Sequence, residues 1–387
     1  MRGTRALRVL LVHNAYQQRG GEDAVVEAEA ALLAAHGHHV ERYVRHNDEI
    51  EGASRLSLAA GTVWSGRTRS DLQALLARFT PDVLHVHNTF PLISPSLYWA
   101  AARARVPVVQ TLHNFRLLCP QAMLLREQRV CEDCVGRVPW RAVAHGCYRG
   151  SRVQSAVLAT MLQTHRALGT WRDKVAVYIA LNEFCRRKFI EGGLPAGRIR
   201  VKPNFVDLPA PPTGAARSGL LFVGRLSREK GVDVLAGAAR AGAAGLRVAG
   251  TGPDGEGLAA APGVQMLGAL PPAAVYDEMR RAQALVLPSV WYEAFPRTLV
   301  EAFACGLPVI ASRLGALPEL VQDGRTGILF EPGNADDLAA KMAWAAAHPH
   351  ELARMGQTAR AHYERELTAT TNHRLLLAIY REAMGET

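Results

Sequence analysis

Two glutamates, Glu293 and Glu301, stand with seven residues between them in YEAFPRTLVEAFACGLPVIAS (292–312). Paired carboxylates do acid/base work on a glycosidic bond when they flank it from opposite sides, about 5–9.5 Å apart. The residues between these two argue for another role. Pro296 suits the start of a helix, where its missing N–H would be unpaired anyway, and Gly306 suits its end. The pattern predicts a helix over about 297–305, with Glu293 before it and Glu301 one turn in. The amides of Arg297, Thr298 and Leu299 would then be unpaired at a positive helix end, a ready anion site. Carboxylates accept hydrogen bonds from hydroxyls. A ligand with hydroxyls at both ends and phosphates between them fits, which describes a nucleoside diphosphate sugar.

The stretch GRLSREKG (224–231) follows an apolar run, so Arg225 and Lys230 fall on a strand-to-helix turn and offer two cations to the same diphosphate. In the first half, Gly20 and Gly21 lie between an apolar run and a helical pattern. Backbone without Cβ atoms can approach a ligand closely there. Glu22 and Asp23 suit the dipole of that helix start. His87 and His113 end successive apolar runs.

These residues need a frame. LRVLLVHN (7–14), a helical pattern ending at Gly37, HHVERYV, DVLHVHN (82–88), VPVVQTLHN (106–114), KVAVYIALN (174–182) and IRVKPNFVD (199–207) alternate strand and helix. LPAPPTGAARSG (208–219) reads as a linker. The rhythm then restarts with GLLFVG, LRVAG, VQMLGAL, ALVLPSV and LPVIAS. Such alternation builds parallel sheets covered by helices, and ligands bind at the carboxyl ends of the strands. The expected architecture is α/β, two Rossmann-like domains facing each other across a cleft. The domains span 1–207 and 208–365, and a last helix within 366–387 packs back on the first domain.

Residues 115–150 interrupt the first domain as a polar insertion. Cys131 and Cys134 form a C-x-x-C, flanked by Cys119 and Cys147. Four thiolates at this spacing suit a structural zinc; free thiols and redox or iron–sulfur roles are the alternatives. Cys185 and Cys305 fall in helical patterns and read as buried apolar residues.

Taken together, GRLSREKGVD, AGTGPD, PSVWYEAFPRTLVEAFACGLPVIAS and GALPELVQDGRTGILFEPGNADDLA resemble the retaining glycosyltransferases of family 4 (GT4), which have the GT-B fold. The resemblance covers about 150 residues of the second domain, with weaker support in the first. It implies that Glu293 binds hydroxyls of the transferred sugar and Glu301 those of the ribose. Arg225 and Lys230 would grip the diphosphate, and Phe295–Leu299 would supply backbone donors. Pro296 stands where many members have Gly, so any amide contact there is lost. Gly20 and Gly21 resemble the family loop that approaches the sugar phosphate and acceptor. TLHNFR resembles a T-x-H-D segment, which gives His113 a sugar contact, with Asn114 in place of the frequent Asp. No side chain reads as a nucleophile or general base, and no Asp-x-Asp ends a strand. The expected reaction is therefore a front-face transfer without catalytic metal, in which the leaving phosphate accepts the acceptor's proton and the protein positions and stabilises charge.

The 387 residues are 49% hydrophobic and 21% charged, with a net charge of +10, so acidic partners are favoured. The resemblance to family 4 implies UDP donors first and GDP next, and carbohydrate, lipid-linked or small-molecule acceptors; no nucleic acid partner is expected. No apolar run reaches the ~20 residues that span a bilayer. The basic, then apolar start of the chain reads as a first strand rather than a signal peptide, so a cytoplasmic location is expected. Trp64, Phe90, Tyr98 and Trp99 allow peripheral contact with a membrane face. The competing readings are a sugar-nucleotide epimerase and a non-catalytic nucleotide-sugar-binding protein.

Overall fold

In the computed structural model, residues 5–52, 54–210, 216–242 and 245–386 are described. The chain forms two compact units. One takes the described residues up to Leu124, Glu132–Pro203 and the residues from Asn372 onward; the other takes Leu125–Cys131 and Asn204–Thr371. The two units meet at 203/204 and at 371/372. The expected linker 208–219 lies partly outside the described residues.

The first unit holds strands β1 (Arg8–Ala15), β2 (His39–His46), β3 (Val83–Val86) and β4 (Val108–Leu112). A short antiparallel hairpin, β5 (Leu125–Arg126) and β6 (Arg129–Val130), belongs to the second unit. The first unit resumes with β7 (Val177–Ala180) and β8 (Ile199–Val201). Its six strands run parallel in the order β2-β1-β3-β4-β7-β8. Strands β3, β4 and β7 are buried at every position, as continuous apolar runs in a covered parallel sheet should be. Strand β2 carries His39, Glu41 and Arg42 at the sheet edge, where charge blocks further pairing.

The helix Ala369–Met384 belongs to this unit. Its Leu376, Leu377, Ile379 and Tyr380 complete a core with Leu7, Val9, Leu11 and Leu33. Arg200 grips Glu382 through two bonds, 2.9 and 2.7 Å. A Leu376→Ala change in so closed a core costs about 2–5 kcal/mol.

The second unit holds β9 (Leu220–Val223), β10 (Leu246–Ala249), β11 (Val264–Gly268), β12 (Ala284–Leu287), β13 (Val309–Ser312) and β14 (Gly327–Phe330). Their order is β11-β10-β9-β12-β13-β14, all parallel. This is the doubly wound order, and the direction of winding reverses between β9 and β12. In the first unit it reverses between β1 and β3. Strand β14 was not expected from the sequence. Among the described residues, no helix is long and apolar enough to cross a membrane.

Candidate active site

The second unit's switch point is built by glycines. Gly231 has φ +74°, and a Cβ there would sit 1.8 Å from the Pro288 carbonyl oxygen. Only glycine lets the loop after β9 press against the loop after β12. The contact is sealed by the Val290 amide donating to the Glu229 carbonyl at 3.0 Å. On the other side, Gly250 and Gly252 bring the AGTGPD loop against Gly224 and Leu226, where added Cβ atoms would meet carbonyl oxygens at 1.9 and 2.2 Å.

This fit places Lys230 Nζ 2.7 Å from Glu293 Oε1. The Ser289 hydroxyl donates to the same oxygen at 2.7 Å, and Ser312 Oγ holds the Ser289 carbonyl at 2.6 Å. Glu293 is buried; its Oε2 accepts no bond among the described residues and is the oxygen left for a ligand. Lys230 Nζ also lies 5.3 Å from the centre of the Trp291 ring. Arg225 is exposed directly beyond β9.

The helix Arg297–Ala304 starts after Pro296 as expected, and Gly306, with φ +62°, follows its end. One expectation fails. The Leu299 amide is already spent on the Pro296 carbonyl at 3.1 Å, because the first turn tightens to an i→i+3 bond. The amides of Arg297 and Thr298 make no backbone bond among the described residues. Glu301 is held by its own helix: Arg297 Nε lies 2.9 Å from its Oε1, and the Tyr276 hydroxyl donates to that oxygen at 3.4 Å. Burial raises the Glu301 carboxyl above the ordinary range, and Arg297 and Tyr276 act against that rise. Phe295 is buried, and its carbonyl accepts from Asn204 at 3.5 Å. Ser289, Tyr276 and the Arg297 side chain were not anticipated.

The first unit's switch point is different. Gly20 leads into the helix Gly21–Ala35. A Cβ on Gly21 would meet nothing within 4 Å, and one on Gly20 nothing nearer than 3.6 Å. Internal packing therefore does not demand this pair of glycines.

Glu22 and Asp23 do more than suit a helix dipole. Asp23 accepts from the Gly20 amide at 2.7 Å and lies 2.8 Å from His13 Nε2. Burial pushes the Asp23 carboxyl up, but His13 and the backbone bonds outweigh it and hold the group below its ordinary range. Glu22 accepts from Asn114 Nδ2 at 2.7 Å and from the Tyr16 hydroxyl at 2.8 Å. Burial raises its carboxyl, and those bonds oppose the rise. Asn114 is here a donor to the Glu22 carboxylate, which an ionised Asp at that position could not be.

Behind these groups lies a sealed polar cluster. His87 Nδ1 and His113 Nε2 share a hydrogen bond of 2.9 Å. His85 is held by the Tyr380 hydroxyl and Thr111, each at 2.8 Å. Lys202 Nζ lies 2.6 Å from Glu29 Oε1, and both side chains are fully buried. Glu29 Oε2 lies 3.6 Å from His87 Nε2, and neither atom has a hydrogen-bond partner. Burial pushes His113 down to about 3, and His85 and His87 well below the ordinary range, so all three are neutral at neutral pH.

Among the described residues, the potential metal ligands whose donor atoms all lie within 4.8 Å of one another are Glu29, His85 and His87. Lys202 already neutralises that carboxylate. Cys119, Cys134 and Cys147 belong to the first unit and Cys131 to the second. Cys119 and Cys134 are buried, and Cys131 and Cys147 half-buried. Cys185 and Cys305 are buried, and burial pushes the Cys305 thiol up to about 11.

Two family profiles match the chain: "Glycosyltransferase Family 4" over residues 19–209 and "Glycosyl transferases group 1" over 217–362. A D-inositol 3-phosphate glycosyltransferase 2 of Catenulispora acidiphila is 35% identical over 346 residues, covering 78% of this chain and 74% of that protein. The fold resembles sucrose-phosphate synthase of Thermosynechococcus elongatus, with TM-score 0.73, 18% identity, and 98% and 100% of the two chains covered. It also resembles HepE of Anabaena in complex with UDP-glucose, with TM-score 0.68, 19% identity, and 96% and 99% covered. The two parallel sheets, the charged switch point and these matches agree: the chain belongs to glycosyltransferase family 4 and is a glycosyltransferase with the GT-B fold.

Proposed function

We propose that the protein transfers a sugar, with retention of configuration, from a nucleoside diphosphate sugar to a hydroxyl acceptor. UDP is the preferred nucleotide and GDP the next. The observation that carries this reading is the switch point of the second unit. Lys230 and Ser289 fix one oxygen of buried Glu293, and Arg225 stands exposed beside them. The two cations take the diphosphate. Glu293 accepts hydrogen bonds from the transferred sugar and Glu301 from the ribose, while the free amides at 297 and 298 add donors to a phosphate. In the first unit, Gly21 leaves room for the acceptor's approach, and His113 is assigned a hydrogen bond to the sugar. HepE, which shares the fold, carries UDP-glucose, and this supports the choice of UDP.

In the reaction the bond between the anomeric carbon and the phosphate oxygen breaks, and a bond from that carbon to the acceptor oxygen forms on the same face. The acceptor's proton passes to the departing phosphate oxygen. Lys230 and Arg225 stabilise the charge that grows on that phosphate. No step is assigned to a metal ion.

Incubation with UDP- and GDP-sugars, with and without EDTA, tests this reading. Slow release of free nucleotide, unaffected by EDTA, is expected, and transfer to a hydroxyl acceptor should keep the anomeric configuration. Conversion of the sugar with its diphosphate intact would make the protein an epimerase. Binding without turnover would make it a binding protein. Turnover abolished by EDTA in folded protein would overturn the metal-free mechanism.

A further inference from the structure

Away from these residues, the first unit carries a face with no place in the transfer reaction. The helix Arg152–Ala167 is flanked by two others, Trp140–Ala144 and Arg55–Val63, both packed against it. Arg166 donates to the Arg137 carbonyl at 2.9 Å, and the Tyr148 amide donates to Ser155 Oγ at 2.9 Å, so the Trp140–Ala144 segment runs antiparallel along one flank. On the other flank, His165 Nε2 bonds the Val63 carbonyl at 2.8 Å. This three-helix layer leaves four large apolar side chains in solvent: Leu56 is 85% exposed, Val153 75%, Trp140 62% and Val138 55%. Single exposed apolar residues are ordinary, but four on one layer are not.

The charge around them is mainly basic, with Asp133 beside Arg141, Glu49 and Asp71 beside Arg67, and Asp173 beside Arg172. From Cys134 to Arg172 the chain holds six arginines and no Asp or Glu, and Ser54–Ser70 adds three arginines, again with no acid. Arg55, Arg137, Arg149 and Arg152 are exposed. The four aromatics whose positions allow membrane contact are mostly covered. Tyr98 is buried, with its hydroxyl on Gln110, and Phe90 and Trp99 are half-buried; only Trp64 remains exposed.

We propose that this layer docks the protein on an anionic lipid bilayer. Leu56, Val138, Trp140 and Val153 enter the boundary between headgroups and acyl chains, and the arginines meet the phosphates. Charge complementarity selects this occupant. A second copy of the same face would bring arginines against arginines. A nucleic acid backbone would give the aliphatic tips nothing apolar to enter. The proposal goes beyond the transfer reaction and does not depend on it.

The test is co-sedimentation of the full chain with vesicles of phosphatidylcholine alone and of phosphatidylcholine mixed with phosphatidylglycerol, at low and high salt. Binding to the mixed vesicles only, weakened by salt, is expected. Each arginine near the surface contributes about fivefold, so the triple variant Arg137→Gln, Arg149→Gln, Arg152→Gln should bind about a hundredfold more weakly. A second variant, Leu56→Ser with Trp140→Ser and Val153→Ser, should also lose binding. Both should release nucleotide from the donor at the wild-type rate, which separates this proposal from the assignment of the active site. Equal binding to neutral vesicles, or unchanged binding by either variant, would overturn it. So would sedimentation without vesicles, which would point to self-association, or capture by RNA in place of lipid.

Discussion

The two switch points use polar residues in opposite ways. In the second unit the charges stand at the mouth: Arg225 is exposed and Lys230 partly so, with Glu293 just beneath. In the first unit the ion pair Lys202–Glu29 is sealed below three neutral histidines. A charge at the mouth can trade water for a phosphate at small cost to the fold. A sealed charge can only hold its neighbours in place, and its loss strands its partner. The second unit spends its lysine on the ligand, and the first spends Lys202 on geometry.

Single-partner removal should show the contrast most sharply. Lys202→Met leaves Glu29 alone in the core and should cost about 3–5 kcal/mol, whereas Lys202→Met with Glu29→Gln should recover most of it. Lys230→Met should leave the melting temperature nearly unchanged and remove turnover. Equal stability losses for the two lysine variants would erase the distinction. Next in size, Glu293→Gln should lower kcat by about 10²–10³-fold at an unchanged melting temperature. A loss confined to KM would move Glu293 away from the reacting sugar.

Acid should find the first unit's weakness. His85, His87 and His113 have folded pKa values below their ordinary 6.5. Stability is therefore complete above that value and falls as pH drops below it, because the unfolded chain then binds more protons. The initial slope approaches about 1.4 kcal/mol per pH unit for each histidine. A melting temperature flat between neutral pH and mild acid would contradict their burial as neutral rings. Last, Glu301→Ala should raise the donor KM by about ten- to a hundredfold with a modest change in kcat. Because burial raises the Glu301 carboxyl, donor binding should also start to weaken, as pH falls, before an ordinary carboxylate would protonate.

What could be read beforehand follows the same division. Glu293, Glu301, Arg225 and Lys230 lie in short, ordered stretches, so their neighbours in sequence reveal their setting. The links that escaped are long-range. Glu22 meets Asn114 across 92 residues, and Lys202 meets Glu29 across 173. Neither partner marks the other locally, and only the parallel sheet brings them together. Tyr276 and Ser289 escaped because a lone hydroxyl has no pattern. Strand β14 was hidden in GRTGILFEPG, whose glycines and proline read as a turn. Its Gly327 is instead demanded by close packing, since a Cβ there would lie 2.0 Å from the Val309 carbonyl oxygen.

The helix Ala369–Met384 has a consequence for biosynthesis. Its Leu376 and Tyr380 belong to the core of a unit whose first strand is β1. While the ribosome is still making the second unit, the first waits with an open seam, and Glu29 and Lys202 lack Asn372, which bonds Lys202 at 3.3 Å. The later part of the message can therefore be folded and finished before the earlier part. A chain released after truncation just short of residue 372 should present a sound second unit and a first unit that chaperones still hold.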